Sequence, residues 1–170
     1  MLVLRATAKV LRSLPPAQQV TTPSDGALGD WYVNRLVIDR QPLVVLVSST
    51  TLLAIIIPGR DLRTLPDRLP GIVAPRLRRL GLPPNVIDAE VATQLPVQVA
   101  KTVDPRVLGS LVLFTKELPC HLPIGGWDET SLPFVELKYW DMPCRASGPT
   151  KGVIHPAEAA RRLLSERWGA

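Results

Sequence analysis

Cysteine, aromatic side chains and long apolar runs are all scarce in this sequence, and each shortage removes a class of protein. Two cysteines in 170 residues, Cys120 and Cys144, cannot build a multi-bridge disulfide framework. Aromatics make up 5%, so a basic surface here has few of the stacking platforms that single-stranded nucleic acid uses. The longest apolar stretches, Leu43 to Val47 and Leu52 to Ile57, fall far short of the roughly 20 residues that span a bilayer. Arg5, Thr7 and Lys9 interrupt the opening Leu-Val-Leu, which leaves no hydrophobic region of the signal-peptide kind. A cytoplasmic domain with reduced thiols is therefore expected. The sequence also has no Gly-rich phosphate loop, no GxSxG and no HExxH, which argues against the common nucleotide-binding and hydrolase classes.

What is present is a core-forming chain with unusual punctuation. It is 46% hydrophobic, enough for a packed interior, and its length suits one domain. Proline occurs 18 times, roughly twice the ordinary frequency of about 5%. That excess disfavours a long-helix bundle, because each interior proline removes a helical hydrogen bond. Twenty basic and 15 acidic residues give a net charge of +5, and the excess lies within the first 110 residues. Its densest point is Arg76, Arg78 and Arg79.

The pattern predicts an α+β domain over residues 1–146, with a mostly antiparallel sheet, a central meander and short flanking helices. Leu2 to Ala6 alternates like a strand, and Thr7 opens a short helix stopped by Pro15-Pro16. Trp31 to Asp39, Leu43 to Ser48 and Leu52 to Ile57 are β-branched-rich runs joined by turns too short for parallel crossovers, hence a three-stranded meander. Pro66, Pro70 and Pro75 predict short helical pieces, with Val73, Leu77 and Leu80 on one face. A helix starts at Pro83-Pro84, a strand covers Pro96 to Thr102, and Asp104-Pro105 is a helix entry. From Pro119 the composition reads as loop, followed by a strand over Phe134 to Trp140. Residues 147–154 read as a flexible link. Residues 155–170 form an amphipathic helix whose face of Ala160, Leu164 and Trp168 docks on the sheet or on a protein partner.

Several segments carry a resemblance. Leu4 to Leu11, Leu28-Gly29-Asp30-Trp31-Tyr32-Val33-Asn34, Ile38-Asp39-Arg40 and Val107-Leu108-Gly109-Ser110 occur in this order and at similar spacing in a family of small bacterial proteins known only as a domain of unknown function. The chain resembles that family from residue 2 to about 145. The family places Asn-Arg-Ser before Val-Leu-Gly, whereas here the positions hold Asp104-Pro105-Arg106, so the Arg is displaced by one residue. The resemblance implies one compact domain and no particular activity.

Two residue sets qualify as sites. The first gathers Trp31, Asn34, Arg35, Asp39, Arg40, Lys101, Thr102 and Arg106 as ligand-binding candidates, although strand alternation puts Trp31 and Arg35 on the face opposite Asn34. The second is a nucleic-acid surface of Arg76, Arg78 and Arg79. Gly29-Asp30-Trp31 followed by Gln41 to Ser48 also resembles the start of MazF/PemK-type endoribonuclease toxins, which implies a metal-independent reaction using Arg35 or Arg40 with Ser48. Cys120, His121, Cys144 and His155 lack zinc spacing, so no metal and no cofactor is expected. The leading reading is a binding domain without catalysis. The alternative is an RNA-binding or RNA-cutting component of a toxin-antitoxin system.

Overall fold

The computed structural model describes residues 1–146 and 151–169. Its main sheet has five strands, β1 (Leu2–Ala6), β2 (Trp31–Ile38), β3 (Gln41–Ser48), β4 (Ala54–Pro58) and β5 (Val97–Lys101), in the order β4-β3-β2-β1-β5. The meander forms as expected, with β2 antiparallel to β3 and β3 to β4. It fills one half of the sheet and ends at an edge. β1 extends the other half, lying parallel to both β2 and β5. Among the described residues six α-helices surround the strands: α1 (Ala8–Leu11), α2 (Leu65–Arg79), α3 (Pro84–Ala92), α4 (Pro105–His121), α5 (Leu132–Asp141) and α6 (Pro156–Trp168). A second, two-stranded sheet pairs β6 (Cys144–Ala146) with β7 (Gly152–Ile154) in antiparallel fashion.

The continuous apolar run of β3 follows from helices on both faces of the sheet. Val44 and Leu46 face a core built with α2, α3 and α6, while Val45 and Val47 face a second core built with α4 and α5. The period-2 alternation of a strand divides one apolar run between two interiors.

Three expectations are corrected. α2 is one helix of 15 residues with Pro70 and Pro75 inside it, in place of short pieces. Leu65, Leu69, Val73 and Leu77 are all fully buried, and burying each contributes about 1.5–3 kcal/mol. Interior proline costs about 3 kcal/mol, so four buried side chains at least offset two prolines. α4 continues through Pro119 to His121, where loop composition suggested an end. The segment read as a strand over Phe134 to Trp140 is α5. Its buried residues Leu132, Val135, Glu136, Tyr139 and Trp140 stand at i, i+3, i+4, i+7 and i+8, which is helical spacing.

α5 has a specific task at the sheet edge. Glu136 Oε2 accepts the Ile56 N–H at 2.8 Å, and the Trp140 indole donates to the Ala54 carbonyl at 2.7 Å. Two outward main-chain groups of β4, the Ile56 N–H and the Ala54 carbonyl, are thereby paired rather than left open to another strand. On the opposite edge, Gln18 N–H donates to the Val99 carbonyl at 2.8 Å, so the segment after α1 covers β5.

Of the expected link, residues 147–150 lie outside the described residues, and Gly152–Ile154 is strand β7. α6 buries Ala157, Ala160 and Leu164 in the first core and Ala159 in the second. Its last turn is tied down by Glu90, a buried carboxylate that accepts Trp168 Nε1–H at 2.7 Å together with the Ala27 and Leu28 N–H groups at 2.8 and 3.0 Å.

Candidate functional site

α4 is positioned by its first turn. Asp104 caps it, accepting from Arg106 N–H at 2.8 Å and Val107 N–H at 3.5 Å, with Pro105 in the first turn. This is the N-cap and N1 pairing read from the sequence. Asp104 N–H in turn donates to the Tyr32 hydroxyl at 3.0 Å, which fixes the helix start to β2. The inner face, Val107, Leu111, Phe114 and Leu118, is buried. The outer face therefore presents Arg106, Gly109, Ser110 and Leu113.

The β6–β7 hairpin stands against that outer face and encloses a groove of about 800 Å³. Among the described residues its basic lining consists of Arg106, Arg145 and Lys151, and none of the lining is acidic. Leu113, Phe114, Met142 and Val153 supply apolar walls. Leu113 and Val153 are 50% and 68% exposed, an unusual exposure for large aliphatics that share a concavity with three cations. A Cβ built on Gly109 meets no heavy atom within 4 Å. The glycine thus leaves open space for a β-carbon at a position that lines the groove.

Cys144 lies in the same groove. Burial, with a smaller contribution from Glu117, pushes its thiol up to about 11, and its Sγ donates to the Met142 carbonyl at 3.3 Å. The thiol is thus favoured over the thiolate at neutral pH, and Cys144 packs as a small neutral group. Alkylation by iodoacetamide, followed site by site in peptide digests, should modify exposed Cys120 first. The Cys144 rate should keep rising through pH 10 without a plateau. Rapid, pH-independent labelling of Cys144 at neutral pH would contradict this.

The wall at Phe114 is held from behind. Tyr139 donates its hydroxyl hydrogen to the Phe114 carbonyl at 2.9 Å, and the two rings stack with centroids 4.7 Å apart. Burial raises the Tyr139 hydroxyl above its ordinary value, and Glu117 and Cys120 add to that. The hydroxyl therefore remains a donor over the whole working pH range.

The ligand set read from the sequence is dispersed, and only Arg106 joins the groove. Trp31 is fully buried in the first core. Asn34 is a brace: its Oδ1 accepts from Thr7 Oγ1 at 3.0 Å and from Arg35 N–H at 2.9 Å, and its Nδ2 donates to Thr115 Oγ1 at 3.4 Å. It connects the end of β1, β2 and α4. Asp39 and Arg40 form the β2–β3 turn with φ of 50° and 64°. Asp39 Oδ2 also accepts from Gly125 N–H at 2.8 Å and Trp127 Nε1–H at 2.9 Å. Lys101 offers its carbonyl to Arg5 Nη1 at 3.0 Å, beside the partly buried Arg5–Asp30 pair at 2.6 Å. Thr102 is half-buried. Arg35 emerges on the other side of the sheet, in a cleft it shares with Arg12 and Arg63.

The nucleic-acid set is divided as well. Arg76 and Arg79 pair with fully buried Glu136 at 3.0 and 2.6 Å, and Arg79 lies over the Trp140 ring at 4.7 Å. Arg78 is exposed. Ser48 is fully buried, with its hydroxyl donating to the Leu28 carbonyl at 2.6 Å. Among the described residues no group of three or more His, Cys, Asp or Glu side chains could hold a metal ion, and no helix is long and apolar enough to cross a membrane. Arg145, Lys151, Leu113 and Val153 escaped the sequence reading. For Arg145 and Lys151 the sequence signal was a pair of cations set six residues apart near Cys144.

The model of the family described as Domain of unknown function (DUF6933) matches residues 3–159. The chain belongs to this family. No curated protein matches the sequence. The DUF6933 match spans the five-stranded sheet, α4 and the β6–β7 hairpin, so the whole groove lies within the family domain. The family description assigns no activity, and function has to be argued from the site.

Proposed function

We propose that the protein is a binding domain for an organic anion with an apolar body, held in the groove between α4 and the β6–β7 hairpin. The observation that carries this reading is the lining: three cations, no acid, and exposed Leu113 and Val153 beside them. The volume of about 800 Å³ falls within the roughly 300–1,000 Å³ of small-molecule sites. Arg106 and Arg145 suit a carboxylate, sulfonate or phosphate head through paired N–H donors, and the apolar walls take the body. Neutral Cys144 contributes contact and no chemistry. The two unpaired thiols suit a reducing, cytoplasmic setting.

Isothermal titration with decanoate, and with decanol as the neutral control, tests the reading. Decanoate should bind saturably and decanol much more weakly. Arg145→Ser should weaken decanoate about tenfold, as expected for loss of a charge-assisted hydrogen bond of about 1.4 kcal/mol. Gly109→Trp, which sets a large side chain at a groove-lining position with room for its β-carbon, should abolish binding in a protein that still melts cooperatively. Equal affinities for the two ligands, or unchanged decanoate binding in Gly109→Trp, would overturn the proposal.

A further inference from the structure

We propose that the cleft formed by Arg12, Arg35 and Arg63 is a separate oxyanion site that takes a phosphate group. The cleft, of about 410 Å³, lies between the end of α1, the first-core face of β2 and the turn after β4. Arg12 follows α1, Arg35 sits mid-β2 opposite Val44, and Arg63 is in the short 3₁₀ turn Leu62–Thr64. Three distant parts of the chain thus deliver three guanidinium groups to one place. Among the described residues none of the three groups makes a hydrogen bond or an ion pair. Arg5, Arg60, Arg76 and Arg79, by contrast, each pair with a carboxylate.

Arg35 supplies the decisive detail. Its Nε is shielded from solvent and has no acceptor within the protein. A buried N–H without a partner is unfavourable and uncommon, and an oxyanion in the cleft would supply the missing acceptor. Arg35 reaches the cleft with its stem packed along the same face as Trp31 and Val33, so the cation is held by a strand of the sheet rather than by a mobile loop. The turn opposite is braced too. Arg68 donates from Nη2 to the Arg60 and Asp61 carbonyls, both at 3.2 Å, and from Nε to Thr64 Oγ1 at 3.0 Å. Asp61 within that turn adopts a left-handed conformation with φ of 49°.

Among the described residues of the lining Asp61 alone is acidic, which leaves three positive charges against one negative. That balance favours a multiply charged anion, and the planar forks of three arginines match the oxygens of a phosphate. Apolar walls are nearly absent here, in contrast to the α4 groove, so the ligand is recognised by its charged group alone. A free phosphate compound and the backbone of a single-stranded RNA share this chemistry.

The test is calorimetric titration of the full chain at low ionic strength with sodium pyrophosphate and, in a second arm, with a short oligouridylate. Pyrophosphate should bind saturably. Arg35→Gln should weaken it at least tenfold, and the control Arg78→Ser, an exposed arginine elsewhere, should leave it unchanged. Should Arg35→Gln fail to fold, the double variant Arg12→Ser/Arg63→Ser replaces only exposed side chains and serves the same purpose. Binding of the oligouridylate alone, lost in the same variants and falling with salt, assigns the phosphate to a polymer and still supports the site. Absence of binding in both arms, or binding that the Arg35 and Arg12/Arg63 variants leave intact, overturns it.

Discussion

Ending the chain at Ala146 is expected to abolish cooperative folding. The deletion removes Ile154, Ala157, Ala159, Ala160 and Leu164, all buried, and leaves β6 without its partner β7. At about 0.8 kcal/mol for each buried alanine methyl and about 1.5–3 for each larger side chain, the lost burial is roughly 5–8 kcal/mol. Domains of this kind are stable by about 5–15 kcal/mol in total. The deletion also strips Trp168 from Glu90, leaving a buried carboxylate with only the Ala27 and Leu28 N–H groups. Thermal melts followed by circular dichroism should show a sigmoidal transition for the full chain and none for the shortened one. A shortened protein melting within a few degrees of the full chain would mean that α6 is an appendage and that its buried face serves something else.

Replacing Glu136 by Ala should be the most damaging single substitution outside the apolar core. Glu136 is fully buried and carries three duties: the partner of Arg76, the partner of Arg79 and the acceptor for the Ile56 N–H. Removing one partner of a buried ion pair costs about 3–5 kcal/mol. Here Arg76 and Arg79 retain 17% and 29% side-chain exposure and can turn toward water, which places the loss at the lower end. For a chain of this size about 3 kcal/mol lowers the melting temperature by roughly 6–12 °C. Glu136→Gln keeps an acceptor for Ile56 and a shape that fits, so it should cost visibly less. Equal losses for Ala and Gln would show that charge pairing alone holds β4, and that the capped strand edge contributes little.

How far the sequence carries depends on where the information sits. Elements with local signals were legible: the meander with its two short turns, the Asp104-Pro105 entry to α4, and α6 with its spaced apolar face. Where local preference conflicts with burial, the sequence misleads. Pro70 and Pro75 argue against α2, and only the four-residue spacing of Leu65, Leu69, Val73 and Leu77 reveals the face that overrides them. Aromatic and branched side chains in α5 favour a strand by propensity, while Glu136 and Trp140 are there to cap β4, a tertiary role with no local signature. The parallel placement of β1 between β2 and β5 likewise depends on contacts between distant segments.

The sites follow the same rule. Arg106 and the Gly109-Ser110 motif were visible as residues, yet the groove exists only because the hairpin carrying Arg145 and Lys151 folds back over α4. Arg35 was singled out with neighbours it does not meet, and its companions Arg12 and Arg63 come from before and after the meander. Arg76 and Arg79 looked like a phosphate-binding surface because their counterion, Glu136, lies 57 to 60 residues away in sequence. Net charge read along a chain cannot distinguish a cation held by a buried carboxylate from one left for a ligand.

The most direct test of the binding account is a map of amide chemical-shift changes as decanoate is added to the full chain. Shifts concentrated at Arg106, Gly109, Ser110, Leu113, Arg145 and Val153, saturating together and vanishing in Gly109→Trp, are predicted. Saturating shifts located elsewhere, or a spectrum that decanoate leaves unchanged, would contradict it.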